Sequence, residues 1–107
     1  MLFDEDNERV LQQMRNNGDD LSRPRVIDFT VVLPNEKTAR SFGGHFDALG
    51  LEVYAERTET APDLPWDVVV KKHMLPTNDG ITGFEQELQA VATPLGGRND
   101  GWGCFEV

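Results

Sequence analysis

Two histidines, one cysteine and a scatter of carboxylates are the side chains of this sequence whose types could do chemistry. Asp28, Asp67 and His73 fall in segments that read as neighbouring strands, and they form the one trio that could converge on a metal or share a proton. Neither His73 nor His45 has a second His, Cys or carboxylate at a metal-binding spacing such as His-Glu-x-x-His. Both read as surface or locally satisfied side chains. Asp4-Glu5-Asp6 suggests a calcium loop, but Arg9 stands where the sharp turn needs glycine and Arg15 where a bidentate Glu is required. These acids suit the start of a helix, where the macrodipole favours negative charge. Cys104 has no cation beside it in sequence to draw out a thiolate, and reads as a structural thiol in a strand. Gly96-Gly97 and Gly101-x-Gly103 do not follow a strand and open a helix, so they cannot cradle a phosphate. No nucleophile, base and oxyanion donor assemble. The chain is expected to be no enzyme and to need no cofactor or metal.

Composition narrows the partners. The 107 residues include 19 acidic and 10 basic side chains, a formal net charge of −9. Phosphate neutralisation needs clustered Lys and Arg, so direct nucleic-acid binding is disfavoured, as is an anionic membrane surface. A basic protein partner suits the charge. Apolar residues make up 38% of the chain, enough for one thin core and a single domain over residues 1–107. One cysteine excludes an intramolecular disulfide. The acidic N-terminus lacks the basic and apolar regions of a secretory signal, and apolar runs stop at three residues, as in Val68-Val69-Val70. A soluble cytoplasmic protein is expected.

Periodicity supplies the elements that must position these residues. Asp4 to Asn17 is a short helix with Val10, Leu11 and Met14 on one stripe, closed by Gly18. From Arg25 the period becomes two: Ile27, Phe29, Val31 and Leu33 share one face, and Asp28 and Thr30 the other. A helix after Pro34-Asn35 carries Ala39, Phe42, Phe46 and Leu49, with Gly43 and Gly44 allowing close approach to a sheet. Strands over 51–60 and 66–74 follow. Pro76 to Gly80 then provides N-cap chemistry for a helix bearing Ile81, Phe84, Leu88, Val91 and Leu95, and one short strand ends the chain. After an N-terminal helix at 1–18, the order strand, helix, strand, strand, helix, strand over 25–107 is the split βαβ arrangement. It predicts an α+β, ferredoxin-like βαββαβ fold with an antiparallel sheet and two helices on one face.

The outward sheet face should present Asp28, Thr30, Tyr54, Asp67, Val69, Lys71 and His73. An RNA-reading sheet would show paired aromatics among basic residues, and this face has one tyrosine among carboxylates. Two arrangements are open. The face is free for a partner, or the first helix packs over part of it and leaves binding to edges, loops and helices. A different class of function, a small-ligand-binding regulatory domain using the cleft between sheet and helices, is the alternative.

The segment Asp100-Gly101-Trp102-Gly103, followed by Cys104, Phe105 and Glu106, is the most individual part of the chain. Together with Asn17-Gly18-Asp19, Arg25 to Phe29, Ala48 to Val53 and Met74 to Thr77, it resembles, in order, the regulator of ribonuclease activity B (RraB, ribonuclease E inhibitor) family. Asn99 stands where that family usually has tyrosine. The resemblance implies a cytoplasmic bacterial protein that binds RNase E, or a related ribonuclease or basic protein segment, and lowers its activity on RNA by contact, without cofactor or chemistry of its own. Candidate partner-binding residues are Asp28, Tyr54, Asp100, Gly101, Trp102, Gly103 and Glu106. For Trp102 two roles stand open: core packing in the last strand, with flanking glycines for close backbone approach, or an exposed anchor on an edge strand.

Overall fold

The computed structural model describes residues 2–58 and 62–104, with side chains from Glu5 onward. Its elements run α1 (Leu2–Asn16), β1 (Arg25–Leu33), α2 (Glu36–Asp47), β2 (Glu52–Arg57), β3 (Trp66–Met74), α3 (Asn78–Ala92), a 3-10 turn (Thr93–Leu95) and β4 (Arg98–Gly103). The strand expected over 51–60 is shorter than its alternating pattern, and its expected end at Thr60 lies outside the described residues.

Local chemistry sets the boundaries. Asn35 caps α2 in a reciprocal box: its Oδ1 accepts from the Thr38 backbone N–H at 2.9 Å, and Thr38 Oγ1 accepts from the Asn35 N–H at 3.3 Å. Thr77 caps α3, its Oγ1 accepting from the Gly80 N–H at 3.1 Å. The loop from α1 to β1 is closed by a buried ion pair. Arg25 Nη1 donates to both carboxylate oxygens of Asp19 at 2.9 and 2.8 Å, and Nη2 donates to the Asp20 carbonyl at 2.7 Å. The hydrogen bond to Asp19 holds the guanidinium proton more tightly than usual, against the opposing effect of burial.

The strand order is β2-β3-β1-β4, with every pairing antiparallel. β1 and β2 therefore run parallel with β3 between them, and β3 and β4 run parallel with β1 between them. Each crossover helix, α2 and α3, skips one strand. The architecture is α+β, three helices and a four-stranded antiparallel sheet among the described residues.

Alternation on β1 and β3 turns Ile27, Phe29, Val31, Leu33, Val68 and Val70 toward Phe42 and Phe46 of α2 and Ile81, Phe84 and Leu88 of α3. All are buried, and Phe84 meets Phe29 edge-on with centroids 4.7 Å apart. At roughly 1.5–3 kcal/mol per fully buried large apolar side chain, this cluster is the main driving force of the fold. It also fills the space between sheet and helices, where the small-ligand alternative requires a cleft. A Cβ on Gly43 would stand 3.3 Å from Val53 Cγ1, so α2 lies tight against β2; Gly44 opens on free space and has no such role.

Two expected stripes are corrected, and the arrangement left open for the first helix is decided: helix α1 packs beside α3 and not over the outward sheet face. It inserts Leu11 into the core with Met14 packed against that cluster, while Val10 is 42% exposed. The inward stripe is Asn7, Leu11 and Met14, whose first member is polar and so escapes a hydrophobic pattern. On α2 the buried stripe ends at Phe46; Leu49 lies beyond the C-cap Ala48 and is 60% exposed.

Candidate partner-binding face

Antiparallel register arranges the helix-free face of the sheet in cross-strand rows. The central row is uncharged: Tyr54, Val69, Thr30 and Gly101. On one side lie Glu52, Lys71, Asp28 and Gly103; on the other lie Glu56, Asp67, Val32 and Arg98. Between Thr30 and Val31 the pairing to β4 slips, because Thr30 faces Gly101 while Val31 faces Asn99. The extra residue of this bulge is Asp100, and the bulge requires the positive φ of +112° that Gly101 supplies.

Electrostatics follow from the rows. Lys71 Nζ donates to Asp28 Oδ1 at 3.0 Å and lies 5.7 Å from the centroid of the Tyr54 ring. The bond to Asp28 raises the affinity of Lys71 for its proton, with Tyr54 and Glu52 adding to it. Asp67 has no such partner among the described residues. Its carboxyl is pushed above the usual carboxylate range by burial, and the negative charges of Asp100 and Glu56 push the same way. Asp28, Thr30, Asp67, Asp100 and the two glycines of β4 line one open concavity of about 1220 Å³.

The structure brings five of the expected residues, Asp28, Asp100, Gly101, Trp102 and Gly103, to the lining of that concavity, with exposed Tyr54 beside it in the central row. Trp102 directs its indole elsewhere. It pairs with Phe29 and so sends its indole to the helix side, half-buried, where Nε1 donates to Asn7 Oδ1 at 2.7 Å. Its flanking glycines do not serve close backbone packing: Gly101 provides the bulge, and the space a Gly103 Cβ would take is open. Glu106 lies outside the described residues. The trio Asp28, Asp67 and His73 does not converge. Asp67 faces Val32, Asp28 faces Lys71 and His73 faces Val26. The register separates the two carboxylates by four strand positions, roughly 13 Å at ~3.3 Å per residue. No three metal-ligating side chains gather among the described residues.

Sequence reasoning missed the hub that anchors β4. Asn7 Nδ2 donates to Thr82 Oγ1 at 2.9 Å and Glu85 Oε1 at 2.7 Å, while its Oδ1 accepts from Trp102. Glu85 Oε2 accepts from Asn99 Nδ2 at 2.6 Å, and Gln89 Oε1 accepts from the Asn99 backbone N–H at 2.8 Å. Asn78, Thr82, Glu85 and Gln89 thus form a second, polar stripe on α3, at spacings of 4, 3 and 4. That spacing was the available signal. Cys104, just past β4, is half-buried; packing brings it the cation that sequence does not, since it hydrogen-bonds Arg25. Burial nonetheless outweighs this contact and raises the thiol above its ordinary value.

These features define a small two-layer α+β domain with helices on one face of the sheet and the other face free, and with no cluster of metal-ligating side chains among the described residues. The sequence profile described as "Regulator of ribonuclease activity B" matches residues 4–104, and the chain belongs to this family, RraB, which is one of regulators and not of catalysts. A comparison with curated proteins returned no match. No helix among the described residues is long and apolar enough to cross a membrane.

Proposed function

We propose that this chain binds the endoribonuclease RNase E and lowers its activity on RNA by protein–protein contact, in the cytoplasm of a bacterium. The observation that carries the reading is the free sheet face, where Asp28, Glu52, Glu56, Asp67 and Asp100 outnumber Lys71 and Arg98. Such a surface repels RNA and attracts cationic protein segments. Asp28, Tyr54, Asp100, Gly101 and Gly103 are the partner-binding residues on this reading. Trp102 serves as a positioning residue for β4.

The βαββαβ order, with each crossover skipping one strand, also supports a ferredoxin-like classification, since the split βαβ unit is the mark of that arrangement. The fold by itself carries no function.

The test mixes purified protein with RNase E and a labelled RNA. Slower cleavage is expected, with the effect weakening as salt rises, because exposed charges are screened over about 8 Å at physiological ionic strength. Unchanged cleavage at low salt, with no complex in sedimentation, would end the reading.

A further inference from the structure

The helix-free face has one uncharged row between two rows that each carry two acids and one cation, Lys71 in one and Arg98 in the other, and this order bears on what can lie there. Tyr54, 46% exposed, and Val69 form the apolar half of the central row; Thr30 and bare Gly101 continue it to β4. The row spans three strand spacings, roughly 14 Å, and an acidic row flanks it at roughly 7 Å on each side. Neither Gly101 nor Gly103 has any atom within 4 Å of where a Cβ would be, so the β4 end of the face is open down to the backbone. Lys71 is engaged by Asp28, whereas Asp67 faces Glu56 across the strands and feels the negative charge of Asp100 as well.

We infer that this face docks a short arginine- or lysine-rich protein segment containing an aliphatic or aromatic residue, which lies along the Tyr54–Gly101 row. This rests on the regulator reading above and adds to it the surface and the chemistry of the partner. The apolar residue packs on Tyr54, the exposed apolar side chain of the row, because Val69 beside it is already buried. Cationic side chains reach to Glu52 on one side and to Asp67, Asp100 and Glu56 on the other. The other occupants fit less well. Helix α1 is already committed to α3. A second copy of the chain brings the same carboxylates and a net charge of −9. RNA brings phosphates.

The experiment titrates isotope-labelled protein with a short peptide alternating arginine and leucine, and follows backbone amide shifts. Shifts confined to β1, β3 and β4 and the Tyr54 region are expected. The double variant Asp67→Asn/Asp100→Asn should weaken binding about tenfold, the scale of two exposed charge contacts. The charge-matched control Glu5→Gln/Glu8→Gln on α1 should change it less than about twofold. Equal losses in both variants, shifts centred on α1, or no binding would overturn the docking surface. RNase E inhibition by the same three proteins separates the two readings. If the wild type inhibits and the Asp67/Asp100 variant inhibits equally, the surface is wrong and the regulator stands. If the wild type fails to inhibit while the peptide binds this face, the ribonuclease reading fails and the surface stands.

Discussion

The indole N–H of Trp102 donates to the side-chain carbonyl of Asn7 at 2.7 Å, joining the last strand to the first helix across 95 residues of sequence. Asn7 is almost fully buried and spends both amide hydrogens on Thr82 and Glu85, so one side chain satisfies three partners. Removing it leaves each partner without its bond. Asn7→Leu, which keeps the volume and deletes the polarity, should cost about 2–3 kcal/mol, the scale of unpaired buried polar groups. Trp102→Phe, which deletes one bond and keeps a ring, should cost nearer 1 kcal/mol. Urea unfolding of the two variants measures this. A cost for Asn7→Leu no larger than for Trp102→Phe would mean that the hub adds nothing beyond a single hydrogen bond.

Gly101 and Gly103 flank the same indole, yet substitution should separate them sharply. Gly101→Ala forces a Cβ onto a backbone at φ +112° and should cost about 1–3 kcal/mol through strain. Gly103→Ala meets open space at ordinary φ and should lie within about 0.5 kcal/mol of wild type. Thermal unfolding of the pair checks the bulge directly, and equal effects would contradict it.

Asp67 gives the acid limb of stability a particular sign. Its folded carboxyl titrates above its ordinary value of 3.8 because of burial, Asp100 and Glu56. The folded state therefore holds this proton more tightly than the unfolded chain. Stability from this group is present below the unfolded value and is lost as pH rises through the raised one. Asp67→Asn should accordingly stabilise the protein at pH 7, by less than about 1 kcal/mol given the solvent screening of this face, and leave it unchanged near pH 3. Chemical denaturation at the two pH values is the measurement, and a loss of stability at pH 7 would reverse the assignment.

The Asp19–Arg25 pair is enclosed, with side-chain exposures of 0% and 5%. Arg25→Met alone takes the cation away from a buried carboxylate and should destabilise by about 3–5 kcal/mol. The double replacement Arg25→Met/Asp19→Leu should recover much of that loss, because the desolvated charge goes too. A double-mutant cycle from urea midpoints reads the coupling, and additive losses would show that the two charges act independently.

Elements whose chemistry is apolar were legible in the sequence. The two-residue period of Ile27 to Leu33 and the spacing of Phe42, Phe46, Phe84 and Leu88 predict the strands, the helices and the core that the structure contains. Alternation also placed Asp28, Tyr54, Asp67 and Lys71 on one face. The docking of α1 was not legible, because its buried stripe begins with a polar residue whose value depends on partners more than seventy residues away. Nor was Asp100 legible on the outer face. Strict alternation through β4 cannot register the bulge that turns it there, although the Asp-Gly pair marks where one could form. The trio Asp28, Asp67 and His73 failed for a simpler reason: neighbouring strands do not imply neighbouring rows.

The order of the strands has a consequence for a chain that emerges from the ribosome one end first. β1 is synthesised early but borders only β3 and β4, both made much later, so its apolar residues must wait with both edges bare. The first helix waits longer still, since the indole that completes its seat is made 95 residues after Asn7. Nascent fragments that stop short of β4 therefore expose a sticky, unfinished sheet, and its quality control falls to whatever shields that strand during translation.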